Sequence, residues 1–167
     1  MVSPVQDLDI LADRFRAFAE ECREASPLYC HLAASAASDR ELLRLANTAS
    51  QREAIPNLFM ATVQYLLKNA PDEPLRKFYP SLTDIPQQAG ESFPLFRQLC
   101  LNRSSSVQSM LQTRLVQTNE PRRAGCLLPS LSEVYRRGES DSLALVELGA
   151  AAGLLLQWDR YFYDYGA

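Results

Sequence analysis

The chain has 167 residues, 47% hydrophobic and 22% charged, the balance of an ordinary globular protein, which excludes collagen-like, low-complexity and disordered readings. Seventeen basic against twenty acidic side chains leave a net charge of -3, so composition points to neither nucleic acid nor an anionic membrane as a partner. The longest apolar stretch, residues 148–156, is about half of the ~20 residues a spanning helix needs, and Asp7, Asp9 and Asp13 would spoil a signal-peptide core; a cytoplasmic protein is expected.

From residue 3 to about residue 24, Leu8, Leu11, Phe15, Phe18 and Cys22 recur at helical spacing, with Ser3, Pro4 and Gln6 as the expected start. Ser26-Pro27 repeats that start for a second helix, with Leu28, Tyr29 and Leu32 inward. Ser38 with Glu41 reads as a capping box before Leu42, Leu43, Leu45 and Ala46. Pro56 opens a stronger helix through Leu58, Phe59, Thr62, Val63, Leu66 and Leu67, which must end before Pro71. Residues 70–92 contain four prolines and read as a loop with one turn near Leu75–Tyr79, the one expected hinge. Phe93, Phe96, Leu99 and Cys100 mark one more helix, and Val107, Met110, Leu111 and Leu115 another. A last one runs through Ala124, Leu127, Leu128, Leu131, Val134 and Tyr135, where Pro129 predicts a kink or a tight turn.

Cys22, Cys30, Cys100 and Cys126 have no Cys-x-x-Cys spacing and only His31 to join them, so no metal site is expected. Cys22 and Cys126 fall on apolar helical stripes and read as buried reduced thiols. His31 reads as a helix-face residue. It follows Cys30 directly, and adjacency in sequence does not make a catalytic pair.

Beyond residue 138 the pattern changes. Leu143 to Val146 is a short apolar run, followed by Glu147-Leu148-Gly149-Ala150-Ala151-Ala152-Gly153 and a helical Leu154 to Trp158. Tyr161, Tyr163 and Tyr165 then alternate with Phe162 and Asp164, a strand-like period of two. The thirteen residues from 148 to 160 are about what a parallel crossover requires, so the expectation is strand, glycine turn, helix, second strand: the start of a Rossmann-like α/β unit.

In such units a glycine makes the turn after the first strand, a second small residue lets the backbone approach the ligand, and a third lets helix and strand pack. Gly149, Ala151 and Gly153 occupy those places behind Glu147. The methyl of Ala151 and the absence of a P-loop lysine favour a nucleoside over a pyrophosphate and point to S-adenosylmethionine. Asp164, 17 residues after Glu147, is the candidate ribose ligand. The competing reading is a small-residue helix packed tightly, with Asp164 and Asp159 in a solvated turn beside Arg160. A second polar constellation, Gln117, Thr118, Asn119, Glu120 and Arg123, reads either as helix capping or as a substrate cleft.

Ser26-Pro27-Leu28-Tyr29, Pro56-Asn57-Leu58, Tyr65-Leu66-Leu67, Gln117-Thr118-Asn119-Glu120 with Arg123, residues 147–154, and Asp159-Arg160-Tyr161 with Tyr163-Asp164-Tyr165-Gly166 together resemble a bacterial family, domain of unknown function 2332. The resemblance runs in order over nearly the whole chain and implies no established activity. It implies members about twice as long with the glycine motif near the middle, so that this chain is the N-terminal half and the C-terminal half is a missing partner. Where the family tends to carry a small polar residue and an Asn, this chain has Ala151 and Leu155.

The resulting expectation is a mainly α chain. A multi-helix domain over 1–138 leads into an incomplete Rossmann-like α/β unit over 139–167. The function expected is S-adenosylmethionine binding in a methyltransferase-like protein, with no metal and no identified catalytic residue. Glu147, Gly149, Ala151, Gly153 and Asp164 would hold the cofactor, and Gln117, Asn119, Glu120 and Arg123 would face the substrate. The alternatives are a non-enzymatic helical interaction module and an inactive truncated product.

Overall fold

The computed structural model describes residues 7–50, 53–117, 120–138 and 142–166, and the chain divides into two units that meet between Val116 and Gln117.

The N-terminal unit is helical. Asp7 opens α1 (Leu8–Cys22), its carboxylate accepting from the Asp9 amide at 2.9 Å, and Leu11, Phe15 and Phe18 form the buried stripe. The start expected at Ser3 lies outside the described residues. Ser26 caps α2 (Pro27–Ala36) as anticipated, accepting from the Tyr29 amide at 3.3 Å with Pro27 at the first position. The cap of α3 (Arg40–Ala46) falls one residue later than the capping box implied: Asp39, not Ser38, accepts from the amides of Glu41 and Leu42. The α4 helix (Ile55–Lys68) buries Leu58, Phe59, Thr62, Val63 and Leu67 and stops before Pro71. Two further helices, α5 (Ser92–Asn102) and α6 (Ser104–Thr113), follow; Leu115 lies beyond α6 and is exposed, contrary to its expected place on that helix.

The proline-rich segment expected as a hinge is anchored instead. Its 3₁₀ turn (Pro74–Phe78) sinks Leu75 and Phe78 into the core with Tyr79 beside them, and Arg76 donates to the Leu67 carbonyl at the end of α4. The turn is held by the burial of two aromatic rings and a leucine, and its prolines, whose φ is fixed, leave little backbone freedom to oppose it. The centre of the unit is a line of rings. Phe15 meets Phe59 edge to face at 5.9 Å, and Phe59 meets Phe96 likewise at 5.8 Å, tying α1, α4 and α5 together.

In the C-terminal unit, α7 (Arg123–Arg137) runs through Pro129 without interruption. A proline has no N–H for the carbonyl four residues back, which here is that of Gly125. The Tyr165 hydroxyl donates to that carbonyl at 2.8 Å and supplies the missing bond. The expected tight 3₁₀ turn is absent: residues 123–137 are α-helical throughout. Two 3₁₀ turns follow over Leu154–Arg160, broken at Gln157, whose backbone is non-helical; the helical segment expected over Leu154 to Trp158 takes this tighter form.

No strand is present among the described residues, so the Rossmann-like start is corrected. Residues 142–147 and 162–166 carry no ladder hydrogen bonds. The period of two over residues 161–165 is not that of a strand paired with a neighbour; the tyrosine hydroxyls donate to the carbonyls of Leu154, Trp158 and, on α7, Gly125. Among the described residues of the C-terminal unit only Ala124 is buried. All four cysteines are free thiols, but Cys22 is half-buried and Cys126 exposed, so the buried-thiol expectation fails for Cys126 because α7 keeps much of its apolar stripe in solvent.

Candidate functional site

The segment from Glu147 to Gly153 is an open loop, not a packed small-residue helix. Gly149, Ala151 and Gly153 have φ of 74°, 48° and 69°, so every second residue is left-handed. Glycine adopts that conformation freely, whereas a residue with a β-carbon is strained by about 1–2 kcal/mol, and Ala151 accepts the strain. The Gly153 amide closes the turn on the Ala150 carbonyl at 2.6 Å, and Gly153 then opens the 3₁₀ helix. A β-carbon placed on Gly149 or Gly153 would meet open space, so backbone geometry rather than crowding selects glycine there.

Glu147 precedes this loop. Its Oε2 atom is closed off from solvent and has no hydrogen-bond partner among the described residues. The carboxylate lines a small apolar cleft with Leu145, Leu155 and Trp158. Leu131 and Trp158 are shared with an adjoining cleft of about 400 Å³ that includes Tyr135 and Ser142, a volume within the usual range for small-molecule sites.

Asp164 is elsewhere. It is exposed, one carboxylate oxygen accepts from the Gly166 amide at 2.9 Å, and it lines a separate cleft with Arg122, Gly125 and the tyrosines. The glycine-loop carboxylate and the expected ribose carboxylate thus do not share a cavity. Gln117, Glu120 and Arg123 are exposed, and Asn119 lies outside the described residues. Glu120 accepts from the Arg122 amide at 3.0 Å just ahead of α7, which has no side-chain cap; Thr118, like Asn119 a candidate cap in the sequence, lies outside the described residues.

Sequence reasoning missed Arg122, Tyr161 and Trp158. The four-residue spacing of Gly125 and Pro129 within a helix was a usable signal, since it marks a carbonyl in need of an outside donor. In the N-terminal unit, His31 Nε2, Thr62 Oγ1 and the Tyr79 hydroxyl are enclosed without partners among the described residues, and His31 is joined to no nucleophile. Burial pushes the Tyr79 hydroxyl well above its ordinary range and that of Tyr29 up to about 12, which keeps both phenols neutral. Among the described residues no cluster of ligands suits a metal, and no helix is long and apolar enough to cross a membrane.

Residues 12–167 match the family described as an uncharacterized protein conserved in bacteria (DUF2332). The chain belongs to that family. No curated protein and no solved structure matches it. For DUF2332 the match establishes kinship over both units and carries no activity with it; no methyltransferase is among the matches.

Proposed function

We propose that residues 147–153 of this DUF2332 protein bind S-adenosylmethionine in a methyltransferase-like site. The observation that carries the reading is Glu147 Oε2, enclosed and without a donor at the root of a loop with alternating left-handed residues. An enclosed carboxylate oxygen without a donor is unfavourable, and ribose hydroxyls or the methionine ammonium of the cofactor supply what is missing. Strain at Ala151 in an exposed loop is the kind of outlier that clusters at ligand sites. Gly149, Ala151 and Gly153 would lie along the nucleoside, with Trp158 and Leu131 walling the adjoining cleft. Asp164 lines the other cleft and is left out of this site. Gln117, Asn119 and Arg123 stay as candidates for substrate contacts. The chemistry supplied by the cofactor is transfer of a sulfonium methyl to a nucleophile, for which alignment can suffice without a general base.

Calorimetric titration of the full chain with S-adenosylmethionine and S-adenosylhomocysteine tests this. The expected result is saturable binding of both, weakened roughly ten- to hundredfold by Glu147→Gln, as for loss of a charged hydrogen bond. Absence of heat with both ligands at millimolar concentration removes the reading.

A second reading, a helical interaction module, is favoured by one observation: Val146, Leu148 and Phe162 are almost fully exposed. Under that reading the glycine loop is only a turn, and Glu147→Gln leaves every ligand titration flat.

A further inference from the structure

We infer that the tyrosine-lined cleft of the C-terminal unit is a separate binding site for a nucleotide, independent of the loop at 147–153. The cleft has a volume of about 370 Å³ and is walled by Pro121, Arg122 and Gly125 on one side and residues 161–165 on the other. That volume lies in the range of small-molecule sites.

The three tyrosine hydroxyls are all engaged with backbone. Tyr161 donates to the Leu154 carbonyl at 2.6 Å, Tyr163 to the Trp158 carbonyl at 2.6 Å, and Tyr165 to the Gly125 carbonyl that Pro129 leaves free, at 2.8 Å. Such tethers fix the rings and leave the site with ring surface to offer rather than phenol hydroxyls. Tyr163 and Tyr165 stack with planes 9° apart, and Tyr161 stands nearly perpendicular to Tyr163, at 68°, so the rings form a corner. Partial burial, then the neighbouring Tyr165, Tyr161 and Asp159, raise the Tyr163 hydroxyl above its ordinary value. Phe162, 93% exposed, adds a ring with no protein surface against it.

Two opposite charges line the same cavity. The Arg122 guanidinium offers a planar fork suited to phosphate. Asp164 has one oxygen on the Gly166 amide and a carboxylate that can accept from an exocyclic amine or a ribose hydroxyl. A flat base for the rings, donors for Asp164 and an anion for Arg122 are together the parts of a nucleotide. A simple cation leaves Arg122 opposed, and a simple anion leaves Asp164 opposed and the rings unused. Base–aromatic stacking supplies affinity without requiring base-edge readout.

The experiment is calorimetric titration of the full chain with adenosine 5′-monophosphate, adenosine and ribose 5-phosphate. The monophosphate is expected to bind, adenosine about tenfold or more weakly, and ribose 5-phosphate not at all. Arg122→Gln should bring the monophosphate to the affinity of adenosine, and Phe162→Ala should weaken both; each residue is exposed, so neither change threatens the fold. Equal binding of monophosphate and ribose 5-phosphate, no binding of the monophosphate at millimolar concentration, or indifference to both substitutions overturns the inference. Glu147→Gln separates the two sites: monophosphate binding should survive it whether or not S-adenosylmethionine binds.

Discussion

In the N-terminal unit the rings of Phe15, Phe59 and Phe96 meet edge to face and are closed off from solvent, whereas in the C-terminal unit Leu148 and Phe162 are 94% and 93% exposed and, among the described residues, only Ala124 is buried. Both units carry apolar residues at regular spacing. Among the described residues, six α-helices supply enough faces to cover one another in the first, and one long helix, 3₁₀ turns and irregular segments leave theirs open in the second. Periodicity tells which face of an element is apolar, and whether anything covers that face depends on how many elements the unit contains.

Thiol accessibility gives the widest expected contrast. Cys100 is fully buried on α5, and burial, then the Asp39 charge, pushes its thiol far above the ordinary range. Cys126, on α7, is exposed. In a labelling time course with an aromatic disulfide reagent, Cys126 should react at the rate of a free thiol, and Cys100 only on unfolding, slower by roughly a thousandfold or more. Cys126→Ser should remove the fast phase. A Cys100 that reacts as fast as Cys126 would mean that the ring-lined core opens readily, and the comparison between the units would fail.

A pair of substitutions measures the same contrast in stability. Phe59→Ala removes the ring that both Phe15 and Phe96 contact and should cost about 3–5 kcal/mol in a denaturant titration. Leu148→Ser exchanges a side chain already in solvent and should lie within about 0.5 kcal/mol of the parent. If Leu148→Ser were as damaging as Phe59→Ala, the apolar surface of the C-terminal unit would be covered in solution.

The parts of the fold that were readable from sequence are those decided within a few residues. Ser26-Pro27 starts a helix because the serine oxygen meets an amide three residues on, and the spacing of Leu58, Phe59, Thr62 and Val63 fixes which face of α4 goes inward. The errors came where distant atoms decide. Ser38 and Asp39 are both good caps, and the choice of Asp39 goes with an arginine 58 residues away. The alternating tyrosines predict a strand, and Tyr161 is extended, yet no neighbouring segment pairs with it among the described residues. At the candidate site, the need of Gly149 and Gly153 for turn geometry was legible, while the separation of Glu147 from Asp164 was not, because it depends on how the chain folds back after residue 160.

That long-range arginine supplies the smallest of the effects and one with a pH signature. Arg97, on α5, donates to Asp39 at 2.6 Å and also to Glu41, so the α3 cap is braced by a second helix. Burial pushes the Asp39 carboxyl up, but the Leu42 amide, the Arg97 guanidinium and the Glu41 amide together outweigh it and hold the group below its ordinary value. A depressed carboxyl contributes stability that is complete above its unfolded value, near pH 4, and disappears as pH falls through the folded value. Asp39→Ala should cost about 1–2 kcal/mol at neutral pH, the usual worth of a cap. Asp39→Asn keeps an acceptor for the amides and should cost less, while the difference between parent and variant should shrink steadily below about pH 4. A difference that stayed constant through the acid range would show that neither the amides nor Arg97 favour the ionised Asp39 carboxylate in solution, and the brace between α3 and α5 would then rest on Glu41 and apolar contact.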